Sequence, residues 1–252
     1  MNYLVGDIGN TLVKICLINK RSKIVKVYSI ETKKLLVNAN IHKFFTSVIK
    51  KKIKKKILFS SVVPIIYNKV SQFLLKNNFQ CLEIKNLLLK KIIKINIDNY
   101  KHLGSDRIAN AAGAFNEYKE NCLIVDFGTA TTFDIIKKPG TYEGGVIAPG
   151  VKLSILNLNR FTASLPIFKL KTTSKAYGKN TKDALNAGFI WGYQGLINNI
   201  IKKISSKFKI KFKIILTGGY ASMFAKFINN NSTIDKHVTI KGIMFIYKTL
   251  IK

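Results

Sequence analysis

Two short segments of the chain repeat one arrangement of residues that could bind phosphate. The first is Asp7-Ile-Gly-Asn-Thr11 and the second is Asp126-Phe-Gly-Thr-Ala-Thr-Thr132, each between two apolar runs. A glycine turn between strands lets backbone N–H groups approach an anion, and the polar side chains add donors. Lys14 would neutralise phosphate charge, whereas a carboxylate would act through a cation. The first segment alone is also typical of an ordinary hairpin turn; the pair favours two loops that hold a nucleoside triphosphate.

A third motif, Leu103-Gly-Ser-Asp-Arg107, stands directly before an alanine-rich segment of helical period. The N-terminus of a helix carries free N–H groups and a dipole that favours anions. Two interpretations follow. Ser105 or Asp106 is an ordinary N-cap, or Asp106 is a general base beside an arginine, Arg107, that binds a carboxylate.

Three glycine-containing segments give weaker signals. Segment 144–150 (GGVIAPG) is typical of a strand bounded by glycine- and proline-containing turns. Segment 178–181 (GKNT) predicts an N-cap at Asn180 or Thr181. Gly218-Gly219 follows an apolar strand and is either a surface for adenine or a plain strand-to-helix turn. The three histidines show no metal-ligand spacing.

Strands and helices must position these motifs, and the hydrophobic pattern predicts them in alternation. The predicted strands are 55–63, which Pro64 ends, and 213–217; the predicted helices are 65–77, 107–119, 182–204 and 220–228. Such alternation predicts an α/β protein. Because the two repeated aspartates stand nearly half the chain apart, we expect two similar domains, 1–118 and 119–252. A ligand is then expected in the cleft between them.

The charge is abnormal for an ordinary globular protein. The 252 residues include 43 Lys+Arg and 12 Asp+Glu, a formal net charge of +31. Such a field attracts nucleic acid or anionic membranes. Only three of the basic residues are arginines, however, and the arginine fork is favoured where proteins read nucleic-acid sequence. The lysines are scattered, so the charge is interpreted as a compositional bias, with nucleic-acid binding as the weaker alternative.

Other classes of protein are disfavoured by simple features. The three cysteines are widely spaced and form no C-x-x-C pair, which argues against a disulfide framework and a zinc knuckle. The start of the chain has no basic leader region, and no apolar run approaches the roughly 18 residues of a membrane span. The expectation is a cytoplasmic protein that binds no membrane.

Taken together and in order, the motifs resemble those of a known family. The two hairpin loops and the late Gly-Gly resemble the actin/Hsp70/sugar-kinase superfamily. The set D-I-G-N-T at 7–11, L-G-S-D-R at 103–107, D-F-G-T-A-T-T at 126–132, G-G-V-I-A-P-G at 144–150 and G-K-N-T at 178–181 resembles type III pantothenate kinase. The resemblance implies two similar actin/Hsp70-like (ribonuclease H-like) domains with the active site in the cleft between them. It implies ATP-dependent phosphorylation of pantothenate to 4'-phosphopantothenate, the first step of coenzyme A biosynthesis.

The resemblance also implies roles for particular residues. Asp106 would be the base, and Asp126 would hold a monovalent cation, K⁺ or NH₄⁺; Mg²⁺ would accompany ATP, and the protein would be a homodimer. The implied ATP contacts are Asp7, Ile8, Gly9, Asn10, Thr11, Leu12, Val13, Lys14 and Thr129. The implied pantothenate contacts are Tyr100, Gly104, Ser105, Asp106, Arg107 and Thr181. The stretch from Tyr100 to Gly104 is shorter than in many members of the family, so the position of Tyr100 relative to substrate departs from their pattern.

Two rival functions remain at the level of sequence. Another enzyme of the superfamily, such as a sugar kinase, an acetate kinase or a polyphosphate phosphatase, would share the two loops. A basic nucleic-acid-binding or regulatory protein could keep the fold without turnover. The placement of G-S-D-R and G-K-N-T favours pantothenate kinase over the other enzymes. The regulatory rival predicts tight, strongly salt-dependent DNA binding and no ATP consumption with pantothenate.

Overall fold

Two β-sheets organise the chain in the computed structural model, which describes residues 1–49, 53–228 and 232–251. Within those residues the strands are β1 (Asn2–Ile8), β2 (Leu12–Ile18), β3 (Ile24–Glu31), β4 (Ile53–Ser61), β5 (Gln80–Glu83), β6 (Lys94–Ile95), β7 (Cys122–Phe127), β8 (Ala130–Lys137), β9 (Thr141–Pro149), β10 (Lys213–Gly218) and β11 (Ser232–Ile234). The α-helices are α1 (Asn38–Ile49), α2 (Pro64–Lys76), α3 (Ser105–Tyr118), α4 (Val151–Arg160), α5 (Thr181–Phe208), α6 (Ala221–Phe224) and α7 (Val238–Leu250).

The described residues divide into two compact units. The first takes those within 1–119, 138–143 and 237–252, and the second takes those within 120–137 and 144–236. The expected domains place all of 119–252 together, whereas the structure assigns the last helix, α7, to the first unit. The reason is packing, because α7 lies against α3 and against strand β1.

The sheet of the first unit has the strand order β3-β2-β1-β4-β5. Strands β1, β2 and β3 form an antiparallel meander, while β4 and β5 run parallel to β1. The central strand β1 is buried on both faces, as its apolar run from Tyr3 to Val5 requires. Consequently the carboxyl ends of β1, β4 and β5 meet at one edge, where ligands of open α/β sheets bind.

Helices cover both faces of this sheet. Phe45 of α1 and Val70 of α2 share a buried core with Leu4 and Ile8 of β1. On the opposite face, the ring of Tyr3 stacks on Tyr247 of α7 with centroids 4.5 Å apart. The strand pleat explains the division, because successive side chains of β1 point to alternate faces.

Helices α3 and α7 cross at two glycines. A methyl group on Gly242 would collide with the Ala109 carbonyl oxygen, and one on Gly113 would collide with the Val238 carbonyl oxygen and come within 2.9 Å of the Gly242 nitrogen. The crossing is reinforced by the Thr239 hydroxyl, which donates to the Asn110 side chain at 2.7 Å. The backbones therefore approach more closely than any side chain allows.

We predict that Gly242→Ala lowers the free energy of unfolding by about 1–3 kcal/mol, because the methyl group meets rigid backbone. Chemical denaturation of the purified variant would measure the loss. The matched control is Gly195→Ala in α5, where an added methyl group meets nothing within 4 Å. Alanine should leave stability unchanged or raise it by up to about 1 kcal/mol there. Equal stability of the two variants would contradict the close crossing.

The second unit repeats the topology of the first. Its sheet runs β11-β10-β7-β8-β9, with β7 and β8 antiparallel and with β10 and β11 parallel to β7 and to each other. The pairing of β6 with the start of β9 lies within the first unit. Read from the other end, the order β11-β10-β7-β8-β9 matches β3-β2-β1-β4-β5. The predicted pair of repeated strand–turn–strand hairpins is therefore confirmed. Helix α5 covers the sheet with a buried stripe at helical spacing: Ile190, Tyr193, Ile197, Ile201 and Ile204.

Most predicted elements occur within a few residues of their expected bounds. Strand 55–63 is β4, strand 213–217 is β10, and the helices at 65–77, 107–119 and 182–204 are α2, α3 and α5. The predicted helix 220–228 is shorter: α6 is followed by a 3-10 turn at Ala225–Phe227. In the part of the chain that the structure describes, no helix combines the length and apolar character that a membrane crossing needs.

Candidate active site

The hairpin between β1 and β2 is fixed at its base and open at its tip. The Gly9 N–H donates to the Leu12 carbonyl at 3.0 Å. The Thr32 hydroxyl donates to the Gly9 carbonyl at 2.6 Å, and the Thr32 N–H donates to the Thr11 carbonyl at 3.0 Å. Asn10 and Thr11 stay exposed at the tip. This arrangement suits a loop that receives phosphate oxygens.

Asp7 and Lys14 are paired across β1 and β2. Side chains alternate along a strand, so Asp7 lies on the same face as Tyr3, the face that α7 covers. Lys14 is exposed and Asp7 is half-buried. The side chains of Ile8 and Val13 are fully buried in the core, so these two residues can reach a nucleotide only through their backbone.

Asp106 occupies the first turn of α3, where the helix dipole favours a negative charge. Its Oδ1 accepts the Arg107 N–H at 2.8 Å. Burial raises the pKa of Asp106; the Arg107 N–H, the Arg107 guanidinium and the Lys85 ammonium each oppose part of the rise. A partly desolvated carboxylate with a raised pKa is a stronger base than an exposed aspartate. The predicted N-cap at Ser105 or Asp106 is wrong, because Gly104 holds that position and both residues lie inside the helix.

Gly104 packs directly against the carboxylate of Asp106. A methyl group on Gly104 would collide with Asp106 Oδ1 and would lie 3.6 Å from Val62 Cγ1. The Val62 N–H donates to the Ile8 carbonyl at 3.0 Å. Val62 thus joins the end of β1 to the start of α3. In this way the structure brings the base of the first hairpin and the G-S-D-R motif to the same edge of the sheet.

Glu83 is a residue of this edge that the sequence interpretation did not identify. It ends β5, is 9% exposed, and accepts the Ser105 hydroxyl on Oε1 and the Lys85 N–H on Oε2 at 2.7 Å. Burial raises the pKa of Glu83, and the bonds from Ser105, Lys85 and Ser61 oppose part of that rise. The available signal was weak: a lone acidic residue at the end of a short apolar strand.

Tyr100 and Arg107 have partners within the first unit. The Tyr100 hydroxyl lies 3.5 Å from the Lys85 carbonyl oxygen, and burial raises the Tyr100 pKa, with a further contribution from Glu83. The Arg107 guanidinium lies 5.9 Å from the ring centroid of Tyr142. Tyr100 therefore belongs to the same group of residues as Glu83 and Lys85, despite the short stretch before Gly104.

In the second unit, Asp126 is a half-buried residue near the end of β7 and pairs with Thr132 of β8 and Thr217 of β10. Gly218 has φ +85°, and a methyl group there would lie 2.6 Å from Asp126 Oδ1. The Gly219 N–H donates to the Phe127 carbonyl at 3.0 Å. Gly218-Gly219 therefore forms a strand-to-helix turn that packs tightly against the loop beginning at Asp126.

Thr129 lies at the exposed tip of the second hairpin. A methyl group on Gly150 would collide with the Thr129 carbonyl oxygen, so the residue that follows β9 packs against this loop. The Thr131 hydroxyl adds a bond to the Pro149 carbonyl at 3.1 Å. The predicted glycine-bracketed segment 144–150 therefore forms most of β9 and backs the loop.

Thr181 is the first residue of α5 and is exposed. The N-cap is Asn180, whose side-chain oxygen accepts the Asp183 N–H at 2.9 Å, so of the two predicted caps Asn180 is the one observed. The contacts described around Asp126 and Thr129 come from Gly150, Gly218 and the neighbouring strands, whereas Thr181 stands at the beginning of another element.

A model of the type III pantothenate kinase family matches residues 3–203, the span that holds both hairpins, Asp106 and Thr181. The chain belongs to the type III pantothenate kinase family. The type III pantothenate kinase of Pelagibacter ubique is 47% identical over 243 residues, 96% of each chain. That of Sulfurihydrogenibium sp. is 36% identical over 254 residues, 97% of this chain and 99% of the relative. The predicted family and the prediction that the protein is an enzyme are confirmed.

Solved structures support the fold of this pantothenate kinase family member. A Campylobacter jejuni protein described under the Baf family of transcriptional activators aligns over 97% of both chains, with a TM-score of 0.63 and 23% identity. The activator of 2-hydroxyisocaproyl-CoA dehydratase from Clostridium difficile, with bound ADPNP, aligns over 97% of this chain and 92% of its own, with a TM-score of 0.55 and 13% identity. At these identities the similarity shows the fold alone, and the predicted α/β class is confirmed.

Proposed function

We propose that this protein transfers the γ-phosphoryl group of ATP to the primary hydroxyl of pantothenate and releases ADP and 4'-phosphopantothenate, the first step of coenzyme A biosynthesis. The observation that carries the proposal is Asp106, a partly desolvated carboxylate with a raised pKa in the first turn of α3. The family membership of the chain names the substrate class. Asp106 accepts the hydroxyl proton as the oxygen attacks the phosphorus.

The other residues bind and orient the two substrates. Phosphoryl transfer needs the attacking oxygen aligned with the γ-phosphorus and the developing charge neutralised. In the proposal, the backbone of 8–13 and the side chains of Asn10, Thr11 and Lys14 receive the triphosphate, and Thr129 adds a contact. Arg107 binds the pantothenate carboxylate at the end remote from the reaction. Tyr100, Gly104 and Thr181 complete the proposed pantothenate site, to which Ser105 contributes only its backbone, because its side chain is fully buried and bonded to Glu83.

Magnesium fits the residues of the first unit. Among the described residues no group of three or more His, Cys, Asp and Glu side chains could form an all-protein metal site. Mg²⁺ usually keeps water and binds through one or two carboxylates plus substrate phosphates. Asp7, half-buried beside the open hairpin, offers such a carboxylate. Bound with ATP, Mg²⁺ would supply charge neutralisation at the phosphates.

A monovalent cation fits the surroundings of Asp126. Its carboxylate faces the bare backbone of Gly218, and Thr132 and Thr217 stand opposite on the neighbouring strands. Carboxylate, hydroxyl and carbonyl oxygens are the hard donors that K⁺ accepts. We therefore propose that Asp126 holds K⁺ or NH₄⁺, which supplies positive charge near the second loop.

We predict that Asp126→Asn abolishes potassium activation, because the amide keeps the shape but removes the negative charge. At saturating KCl, kcat should fall about tenfold, toward the rate without potassium, which corresponds to the loss of one favourable charge interaction. Titration of the rate with KCl at constant ionic strength measures the effect. Asp98→Asn, at an exposed position, is the matched control. A normal potassium response of Asp126→Asn would contradict the cation site.

The test of the function is a coupled assay of ATP consumption with pantothenate, with and without KCl, next to glucose, acetate and polyphosphate. We expect ATP to be consumed when pantothenate is the acceptor and not when glucose, acetate or polyphosphate replaces it. No turnover with pantothenate, together with tight and strongly salt-dependent DNA binding, would favour the regulatory rival, since binding to nucleic acid weakens steeply with salt.

Two further parts of the proposal concern assembly and location. The family resemblance implies a homodimer, which sedimentation of the purified protein tests directly; a monomer at micromolar concentration would contradict it. A cytoplasmic location is supported by the sequence, whose three cysteines are widely spaced and form no C-x-x-C pair.

A further inference from the structure

Glu83 is a buried carboxylate that accepts three hydrogen bonds. Its side chain is surrounded by the Ser105 hydroxyl, the Lys85 N–H and the Ser61 N–H. A buried charged group is costly unless it is hydrogen-bonded in this way. The three donors come from three elements: the end of β4, the 3-10 turn after β5 and the first residue of α3. Glu83 therefore ties these elements together.

The hydrogen bond from Ser105 to Glu83 holds the residue that directly precedes Asp106, the proposed base. Ser105 is the first residue of α3, its exposed fraction is 0%, and its hydroxyl donates to Glu83 Oε1. The next residue is Asp106. Its carboxylate is turned toward the helix N-terminus, with Oδ1 against Gly104 and the Arg107 N–H. The hydrogen bond to Glu83 therefore fixes the rotation of the first turn of α3, and this rotation sets the direction of the Asp106 side chain.

The 3-10 turn after β5, which contains Lys85, also holds the segment that carries Tyr100. The Lys85 Nζ donates to the Lys101 carbonyl at 3.1 Å, and the Tyr100 hydroxyl lies 3.5 Å from the Lys85 carbonyl. Segment 100–102 is a 3-10 turn just before Gly104. The end of β5 therefore supports both proposed pantothenate-binding segments of the first unit, one through Glu83 and one through Lys85.

We propose that Glu83 is a positioning residue for phosphoryl transfer: by accepting the Ser105 hydroxyl, it fixes the first turn of α3 and orients the carboxylate of Asp106 toward the substrate hydroxyl. This inference rests on the proposed role of Asp106 as the base. Reacting groups displaced by about 1 Å can lose about a hundredfold in rate, so the orientation of the base affects kcat directly.

A purely structural bond would behave differently from a positioning bond. Loss of a structural bond lowers stability and leaves the kinetics of the folded protein unchanged. Loss of a positioning bond lowers kcat while the KM values of ATP and pantothenate change little, because binding does not depend on the direction of the base. The Thr239–Asn110 bond provides the comparison, since it also ties α3 to another element but does so one helical turn beyond Asp106.

The experiment compares Ser105→Ala, Glu83→Gln and the double variant in the pantothenate assay, with the melting temperature of each. We expect a fall in kcat of about tenfold for Ser105→Ala, with both KM values within about twofold of the wild type. Glutamine keeps the shape of Glu83 and can satisfy only part of its donors, so Glu83→Gln should also lower kcat. If Glu83 acts through Ser105, the double variant is no slower than the slower single variant. Thr239→Val, the control, should lower the melting temperature and keep kcat.

Either of two results would overturn the inference: a kcat of Ser105→Ala within twofold of the wild type, or a double variant whose loss is the product of the single losses. Asp106→Asn separates this failure from failure of the proposed function. If Asp106→Asn is inactive and Ser105→Ala is normal, Asp106 remains the base and Glu83 does not position it. If Asp106→Asn retains turnover, the assignment of the base is itself wrong.

Discussion

Replacing Asp106 by asparagine is expected to lower kcat for pantothenate phosphorylation by about 10²- to 10⁴-fold, the usual contribution of a positioned general base. Asparagine has the same shape, and its side-chain oxygen can still accept the Arg107 N–H that Asp106 accepts at 2.8 Å. It cannot accept the proton of the substrate hydroxyl. The loss should therefore appear in kcat, while the dissociation constant of pantothenate, measured by calorimetry, stays within a few-fold of the wild type.

The pH dependence of the wild-type enzyme gives a second check on the same residue. Burial raises the pKa of Asp106, so the base form is lost at a higher pH than for an ordinary aspartate. The acid limb of kcat/KM should accordingly lie above the usual aspartate range and be absent from the residual activity of Asp106→Asn. Asp98→Asn, an exposed neighbour in sequence, is the control and should keep both rate and pH profile. Near-normal turnover by Asp106→Asn would exclude Asp106 as the base.

The sequence predicted the parts of the fold that leave a local pattern. Strand β4 and helices α2, α3 and α5 show clear periods, and the repeated Asp-x-Gly turns revealed the two matching hairpins. Helix α7 was missed because its residues are apolar on most sides, as a helix packed against both α3 and β1 must be. Its place in the first unit depends on long-range packing at Gly113 and Gly242, which no local pattern shows.

The candidate site was predicted where residue type alone limits the chemistry. Asp7 and Asp126 could be found because they open two matching motifs, and Asp106 because it stands directly before an alanine-rich segment of helical period. Glu83 could not, because its role depends on a hydrogen bond across 22 residues to Ser105. The burial of Ile8 and Val13 was also hidden, and it means that the proposed contacts of these two residues with a nucleotide would use their backbone alone.

Gly104→Ala is expected to remove about 99% of kcat without unfolding the protein, which corresponds to the roughly hundredfold cost of a base displaced by about 1 Å. The backbone of Gly104, at φ −62° and ψ 138°, suits any residue, so alanine introduces no backbone strain. The new methyl group would collide with Asp106 Oδ1, while its approach to Val62 Cγ1, at 3.6 Å, is ordinary contact. The carboxylate can rotate away, and the rest of the edge need not move.

This variant separates the position of the base from its presence. Asp106→Asn keeps the position and removes the base, whereas Gly104→Ala keeps the base and changes its position. If glycine acts only through Asp106, the double variant Gly104→Ala/Asp106→Asn is no slower than Asp106→Asn alone, because residues that act as a unit are not additive. Circular dichroism and the melting temperature establish that each variant is folded, with Gly195→Ala as the matched control. A folded Gly104→Ala enzyme with wild-type kcat would show that the carboxylate direction seen here is not the one that catalysis requires.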